Sequence, residues 1–463
     1  MNKPFPKQIL RILGWTLATI IGLPIIGYLL LLLINLQDSP LSPSVENLLN
    51  SKPPASIAAN DNGYFAWVGI VGAEDQDPAI WGQRWFNEAL AIDKEFRTSM
   101  SPRNFAIDKE RRKPEPTIKG FPCEKIENCA FDFVEKDTDA ARVILQNGHI
   151  TLERGDKALA FPDYQEPWRA DYSVASTISP HPNGWLALCA TRFALAAKEG
   201  RHDDAINQIA REVAFHINQL RGSLAFVDKV LATHNLGARY RLLSQYIQRY
   251  PEPAKARIDK IAKIIVALPR EVTSLQASLL LEERVVTTVL LATKTNKEFE
   301  RELLGELGDI AGPYLAKPFF LVSVSANEFT GVMDLWIHAD GLTDKAYRES
   351  IIYAQRYGAQ EVASFNLRNP VGHLLLGVAY QNIFPYMLRR DDLLALRALV
   401  AFQVKLLQNS ITDPAAITRA IAADKDLLTH PFYGTTPIFD KEKRVIRFAN
   451  SGAFGGEELS LHI

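Results

Sequence analysis

Cysteine is scarce in this chain, with three in 463 residues. Three cysteines cannot build a disulfide scaffold. Neither sign of charge dominates: 52 basic residues face 53 acidic ones, a net charge of −1. Such a balance carries no electrostatic footprint for nucleic acid. The nine histidines stand singly, no two at i, i+3 or i+4, so no helix face offers a ready pair of metal ligands. There is no Gly-x-Ser-x-Gly elbow, no His-Glu-x-x-His, no P-loop and no strand-coupled Gly-x-Gly-x-x-Gly. No metal and no cofactor is therefore expected. What remains is ordinary globular composition, 47% apolar and 10% aromatic.

Charge is also missing locally. From Ile12 to Gln37 no residue is charged, and the stretch contains the run Leu29 to Ile34. At about 1.5 Å per residue such a helix spans a hydrocarbon core of about 30 Å. Pro24 lies within it, a feature membrane helices tolerate. Lys3, Lys7 and Arg11 precede the segment, while Asp38 and Glu46 follow it. The positive-inside rule then puts the tail in the cytoplasm and the bulk of the chain across the membrane. A cleaved signal peptide is the competing reading; its apolar core is usually shorter, and Asn35-Leu36-Gln37 is a poor cleavage site. From Asp38 onward 49 basic residues face 53 acidic ones, net −4, which gives no general pull toward anionic lipid.

The pattern predicts a mainly α protein: an N-terminal transmembrane helix, an irregular array of helical hairpins and a small β-hairpin near the C-terminus. Residues 1–37 read as cytoplasmic tail and anchor. Residues 38–60 hold Pro40, Pro43, Pro53 and Pro54 and read as a linker lifting the body off the membrane. Residues 61–170 read as a small mixed α/β region, 171–425 as the helical array, and 426–463 as a tail. Tyr64 to Ile70, aromatic and β-branched, suggests a short strand. Asp77-Pro78 opens a helix to about Phe96, with Ile80, Trp81, Trp85 and Leu90 near one face. Asp137 to Leu145 reads as helix, although Asn147-Gly148 could turn a hairpin. Later helices are expected at 184–198, 203–220, 224–234, 240–249, 254–268, 271–293, 327–338, 343–355 and 369–386, with one more to Leu407. Arg389-Arg390-Asp391-Asp392 reads as the turn before that last helix.

Ala197 to Ile206 resembles the turn of a tetratricopeptide helix pair, in which a glycine ends one helix and an Asp-x-Ala-Ile run opens the next. No repeat of about 34 residues follows, so the likeness implies an α-hairpin and no more. Thr436 to Phe439 and Arg444 to Phe448 flank the polar turn Asp440 to Lys443 and predict the hairpin. With His430-Pro431-Phe432-Tyr433-Gly434 before it, the tail resembles the ending of uncharacterised bacterial single-pass envelope proteins. That resemblance implies a bacterial inner-membrane location and carries no activity.

Four groups of residues could carry function. Cys123 and Cys129 could close a small disulfide loop, or stand as two thiols. Cys189, in an apolar helix, reads as a buried small hydrophobe. Glu282-Glu283-Arg284 interrupts an apolar helix; a sheltered carboxylate there could act as a general acid, or pair with arginine, or face solvent. Trp67, Trp81 and Trp85, with Tyr64, Phe65 and Phe86, could form a ligand surface or a core. Arg97 to Lys119 is locally basic, and reads as a solvated loop or a phosphate-facing one. The function expected is a non-catalytic envelope component presenting its helical array to a protein partner; the alternative is a cell-wall hydrolase using Glu282 or Glu283.

Overall fold

In the computed structural model the described residues are 7–52, 57–96, 129–167, 182–297, 300–301, 304, 316–363, 366–379, 383–448 and 459–463. Cys123 and the basic segment 97–119 lie outside them. The protein is mainly α-helical. Its small antiparallel sheet near the C-terminus has the order β1 (Ile438–Asp440), β2 (Val445–Arg447), β3 (Ser460–His462).

The first helix, α1 (Lys7–Ile34), is long and apolar enough to cross a membrane, and its outer surface is bare: Ile12, Trp15, Leu23 and Leu33 are all exposed. The segment after it is not a free spacer. Residues 43–50 form α2 (Pro43–Asn50), opened by Pro43 and capped by the Ser42 hydroxyl, with Val45 and Leu48 buried. Of the prolines that suggested a linker, Pro43 starts a helix, because proline's fixed φ suits the first helical position, and Pro53 and Pro54 lie outside the described residues.

Residues 63–71 correct the strand reading. They form α3 (Gly63–Val68) and a 3₁₀ turn, capped by Asn62, whose side chain accepts the Tyr64 N–H. Every residue of α3 is buried. A segment buried all round has no amphipathic period to read, and short aromatic runs look strand-like. Arg154 closes the turn by donating to the carbonyls of Gly69, Ile70, Ala73 and Gln76. The next helix, α4 (Pro78–Phe96), lies backbone to backbone on α3: a Cβ at Gly82 would sit 1.9 Å from the Phe65 carbonyl oxygen. Trp81 and Trp85 face inward, whereas Ile80 and Leu90 face out.

Helices α5 (Ala130–Lys136), α6 (Thr138–Asn147) and α7 (His149–Leu159) follow, and Gly148 joins the last two rather than turning a hairpin. The Asp137 side chain caps α6. Among the described residues, 61–170 is therefore helical, not mixed. Its aromatic core is completed by Trp185, Leu188, Cys189 and Phe215 from the next two helices.

Those are α8 (Asn183–Lys198) and α9 (His202–Gly222), a hairpin turned at Gly200 with φ +76°. Next comes α10 (Phe226–Arg249), one continuous buried helix where two were expected. Gly237, in the expected gap, lies under Leu393 and Leu396, and packing holds the helix through it. The helix expected at 254–268 is split into α11 (Pro251–Lys255) and α12 (Ile258–Ile264). That expected at 271–293 is split into α13 (Arg270–Thr273) and α14 (Gln276–Thr295).

A second core joins α14 to α15 (Val322–Asp340), α16 (Asp344–Ala363), α17 (Pro370–Ala379) and α18 (Ile383–Gln408). The turn expected at Arg389–Asp392 lies inside α18, and Arg390 and Asp391 are buried. Arg390 pairs with Asp340 of α15 and with Asp391, and the Tyr347 hydroxyl donates to Asp391 at 2.6 Å. Four charges that read as a turn thus include an interhelical pair, since a buried charge is tolerated once matched and hydrogen-bonded.

Helices α19 (Pro414–Ala423) and α20 (Lys425–Leu428) lead to the sheet, where β3 adds a strand to the expected hairpin. His430 is buried. Its Nδ1 accepts the N–H groups of Phe432 and Tyr433, so Nε2 carries the proton toward Asp392 at 3.0 Å. The His-Pro-Phe-Tyr-Gly segment is a tight turn wound on that ring, closed by Gly434 at φ +66°.

Candidate functional site

Glu283 sits on the inward stripe of α14, with Leu279, Thr287 and Leu290. It is 1% exposed, and its Oε2 has no hydrogen-bond partner. Burial, and then the charge of Asp334 on α15, push its pKa up to about 8; the neighbouring Thr330 hydroxyl acts the other way. A carboxyl held so high carries its proton at neutral pH, which removes the cost of an unpaired buried charge. The Asp334 carboxyl is also held above its ordinary range by burial, against the pull of a hydrogen bond from Ser44.

Asp334 opens on a groove of about 530 Å³, lined also by Gln276, Ile337, His338, Gly341 and Leu342. Glu283 is thus the sealed, protonated carboxyl, and Asp334, whose charge helps raise it, is the one that faces the groove.

Glu282 does something different. It is half-buried, and burial raises its pKa while the Phe226 N–H at the start of α10 lowers it. Glu166 accepts the adjacent Leu224 and Ala225 N–H groups at 2.8 and 2.7 Å. Two carboxyls thus sit on the N-terminus of α10, which leaves backbone donors free and favours negative charge. Neighbours in sequence, Glu282 and Glu283 point about 100° apart around α14 and serve different helices. Arg284 donates to the carbonyls of Leu48 and Ser51 and to the Ser51 hydroxyl, at 2.9 to 3.1 Å, locking the end of α2.

The tryptophans form core, not surface. Trp67, Trp81 and Trp85 are at most 1% exposed. Trp67 packs edge to face on Trp185 and on His216, at 5.3 and 5.9 Å. Beneath them lies a sealed polar cluster: Arg239 reaches Glu212 at 3.0 Å, and His216 meets Gln219 at 2.9 Å. Burial and the Arg239 charge push the His216 pKa down to about 3. Cys189 lies fully buried beside this cluster, its thiol pKa raised by burial and by Glu212.

Residue patterns alone missed Asp334, Thr330 and Ser44. One signal was there: Asp334 is the lone charged residue between Glu328 and His338, within the largely apolar run Phe329–Ile337. Among the described residues no group of three or more His, Cys, Asp or Glu side chains is placed to hold a metal. In comparisons with family models, curated proteins and solved structures, nothing matches this chain.

Proposed function

We propose that the protein is a bacterial inner-membrane component with its N-terminus in the cytoplasm. Its helical body is held in the periplasm against the membrane surface and binds a protein partner. The observation that carries this is the attachment of α1 to the body. Within ten residues of its end, Asn35, Asp38, Ser42 and Ser44 each bond a distant element. Asp38 pairs with Lys294 at 2.9 Å and accepts the N–H groups of Ser323 and Val324 at the start of α15. A body so fixed presents its surfaces at a set height and orientation, as a scaffold requires. Lys3, Lys7 and Arg11, which precede the charge-free run of α1, support the orientation. The groove beside Asp334 is the recess offered to a partner.

A Cys123–Cys129 bridge belongs to this proposal. Among the described residues Cys189 is a free cysteine and Cys129 is not, and a bridge suits an oxidising compartment. The topology is tested by reporter fusions after Ile463. An active alkaline phosphatase supports the reading, and an active cytoplasmic reporter there refutes it. Partner binding is tested by crosslinking in cells: a stoichiometric adduct lost in Asp334→Ala and His338→Ala supports it.

The second reading is an envelope hydrolase, favoured by the protonated Glu283 beside Asp334. Glu283→Gln keeps size and neutrality. It abolishes activity if Glu283 is a general acid and leaves a scaffold's phenotype intact.

A further inference from the structure

Two observations place a second part of the protein at the membrane, given the anchor reading of α1. The first is a ring contact. Tyr28 of α1 meets Phe319 edge to face, with centroids 5.4 Å apart. Tyr28 lies six residues before the end of α1, about 9 Å along the axis. Phe319 belongs to the 3₁₀ turn Lys317–Phe319. If α1 spans the bilayer to Ile34, that turn reaches the depth of the headgroup–acyl boundary.

The second is the helix packed beside that turn. Asn35, at the end of α1, holds the loop before α17 by donating to the Leu367 carbonyl and accepting the Asn369 N–H. Leu367 is nonetheless 49% exposed. In α17 itself Leu376 is buried in the second core, while Leu374 is 57% exposed. A helix facing water shows a polar outer face. This one shows none: from Asn369 to Leu388 the sequence holds no Asp, Glu, Lys or Arg. Arg368, exposed just before α17, stands where a long basic side chain can reach lipid phosphates.

We propose that α17, the Leu367 loop and the Phe319 turn form a second, interfacial membrane contact, with Leu367 and Leu374 seated among the lipid chains. The occupant is the bilayer that α1 crosses, because α1 itself is clamped to this face. The body would then rest on the membrane at two places, in the manner of an interfacial helix beside a spanning one.

The test uses the full-length chain in vesicles of phosphatidylethanolamine and phosphatidylglycerol that carry a diazirine on the acyl chain. After photolysis, adducts are mapped by mass spectrometry. Adducts in both 12–34 and 366–377 are expected, and Leu367→Glu with Leu374→Glu reduces those in 366–377 at least tenfold while leaving 12–34 unchanged. Adducts in 12–34 with none in 366–377 overturn the inference and leave the anchor standing. The same result arises if a second copy or another membrane protein covers this face. Absence of adducts in 12–34 refutes the anchor itself, and the inference with it.

Discussion

Asn35 accepts the backbone N–H of Asn369 at 2.6 Å, across 334 residues of chain. It stands one residue past α1 and is 4% exposed. Its side chain also donates to the carbonyls of Leu31 and Leu367. Asn369 in turn accepts the Leu321 N–H and donates to Ser325, so one amide pair ties α1 to α15 and α17. Asn35→Leu strands buried polar groups and is expected to cost about 1–3 kcal/mol. Hydrogen exchange at 367–373 should accelerate while exchange in α10 stays unchanged.

Glu283 sets the basic limb of stability. Its pKa rises from 4.5 to about 8 on folding. The folded state then holds a proton that the unfolded chain has lost, so the stabilisation is full below pH 4.5 and is lost as pH rises toward about 8. Denaturant unfolding between about pH 6.5 and 8, above the window in which His216 acts with the opposite sign, should show stability falling with pH. Glu283→Gln should flatten that slope. A slope unchanged in the variant would assign the effect to another group.

His216 sets the acid limb, with the opposite sign. Its pKa falls from 6.5 to about 3 on folding, so its contribution is present above pH 6.5 and lost as pH drops toward 3. His216→Gln removes the titrating group and should leave stability less dependent on pH across that window. Fluorescence of the buried Trp67 and Trp185, which pack on His216, gives the readout.

Arg390 and Asp340 form a buried interhelical pair. Asp340 also accepts the Ser274 hydroxyl and the Leu275 N–H that open α14. Arg390→Leu removes the guanidinium paired with both Asp340 and Asp391 and is expected to cost about 3–5 kcal/mol. The double variant Arg390→Leu with Asp340→Asn should cost less than the sum of the singles, as measured in a double-mutant cycle.

Gly200 turns the α8–α9 hairpin at φ +76° with open space around it. Gly200→Ala should therefore cost only the left-handed penalty, about 1–2 kcal/mol, with no loss of packing. A larger loss in thermal unfolding would mean that the turn makes contacts beyond its backbone.

Much of the fold could be read from residue order. The charge-free run of α1, the caps at Asp77-Pro78 and Asp137, the glycine at 200 and the polar turn between β1 and β2 are local signals. Each is determined by a few neighbouring residues, so it survives without knowledge of what packs on it. The errors fell where packing overrides local preference. The Tyr64–Ile70 run became helix because Arg154 and Asn62 satisfy its ends and α4 covers it. The two helices expected at 224–234 and 240–249 became the single α10 because α18 lies over Gly237 between them. Arg390 and Asp391 left the surface because Asp340 and Tyr347 were waiting for them.

The candidate site divides in the same way. An acid in an apolar helix marked Glu283, and that much was visible along the chain. Which of Glu282 and Glu283 is sealed, which one faces the start of α10, and that Asp334 opposes the sealed one are facts of how α10, α14 and α15 come together. A carboxyl's proton affinity depends on its surrounding dielectric and nearest charge. For Glu283 both are supplied by residues tens of positions away in the chain.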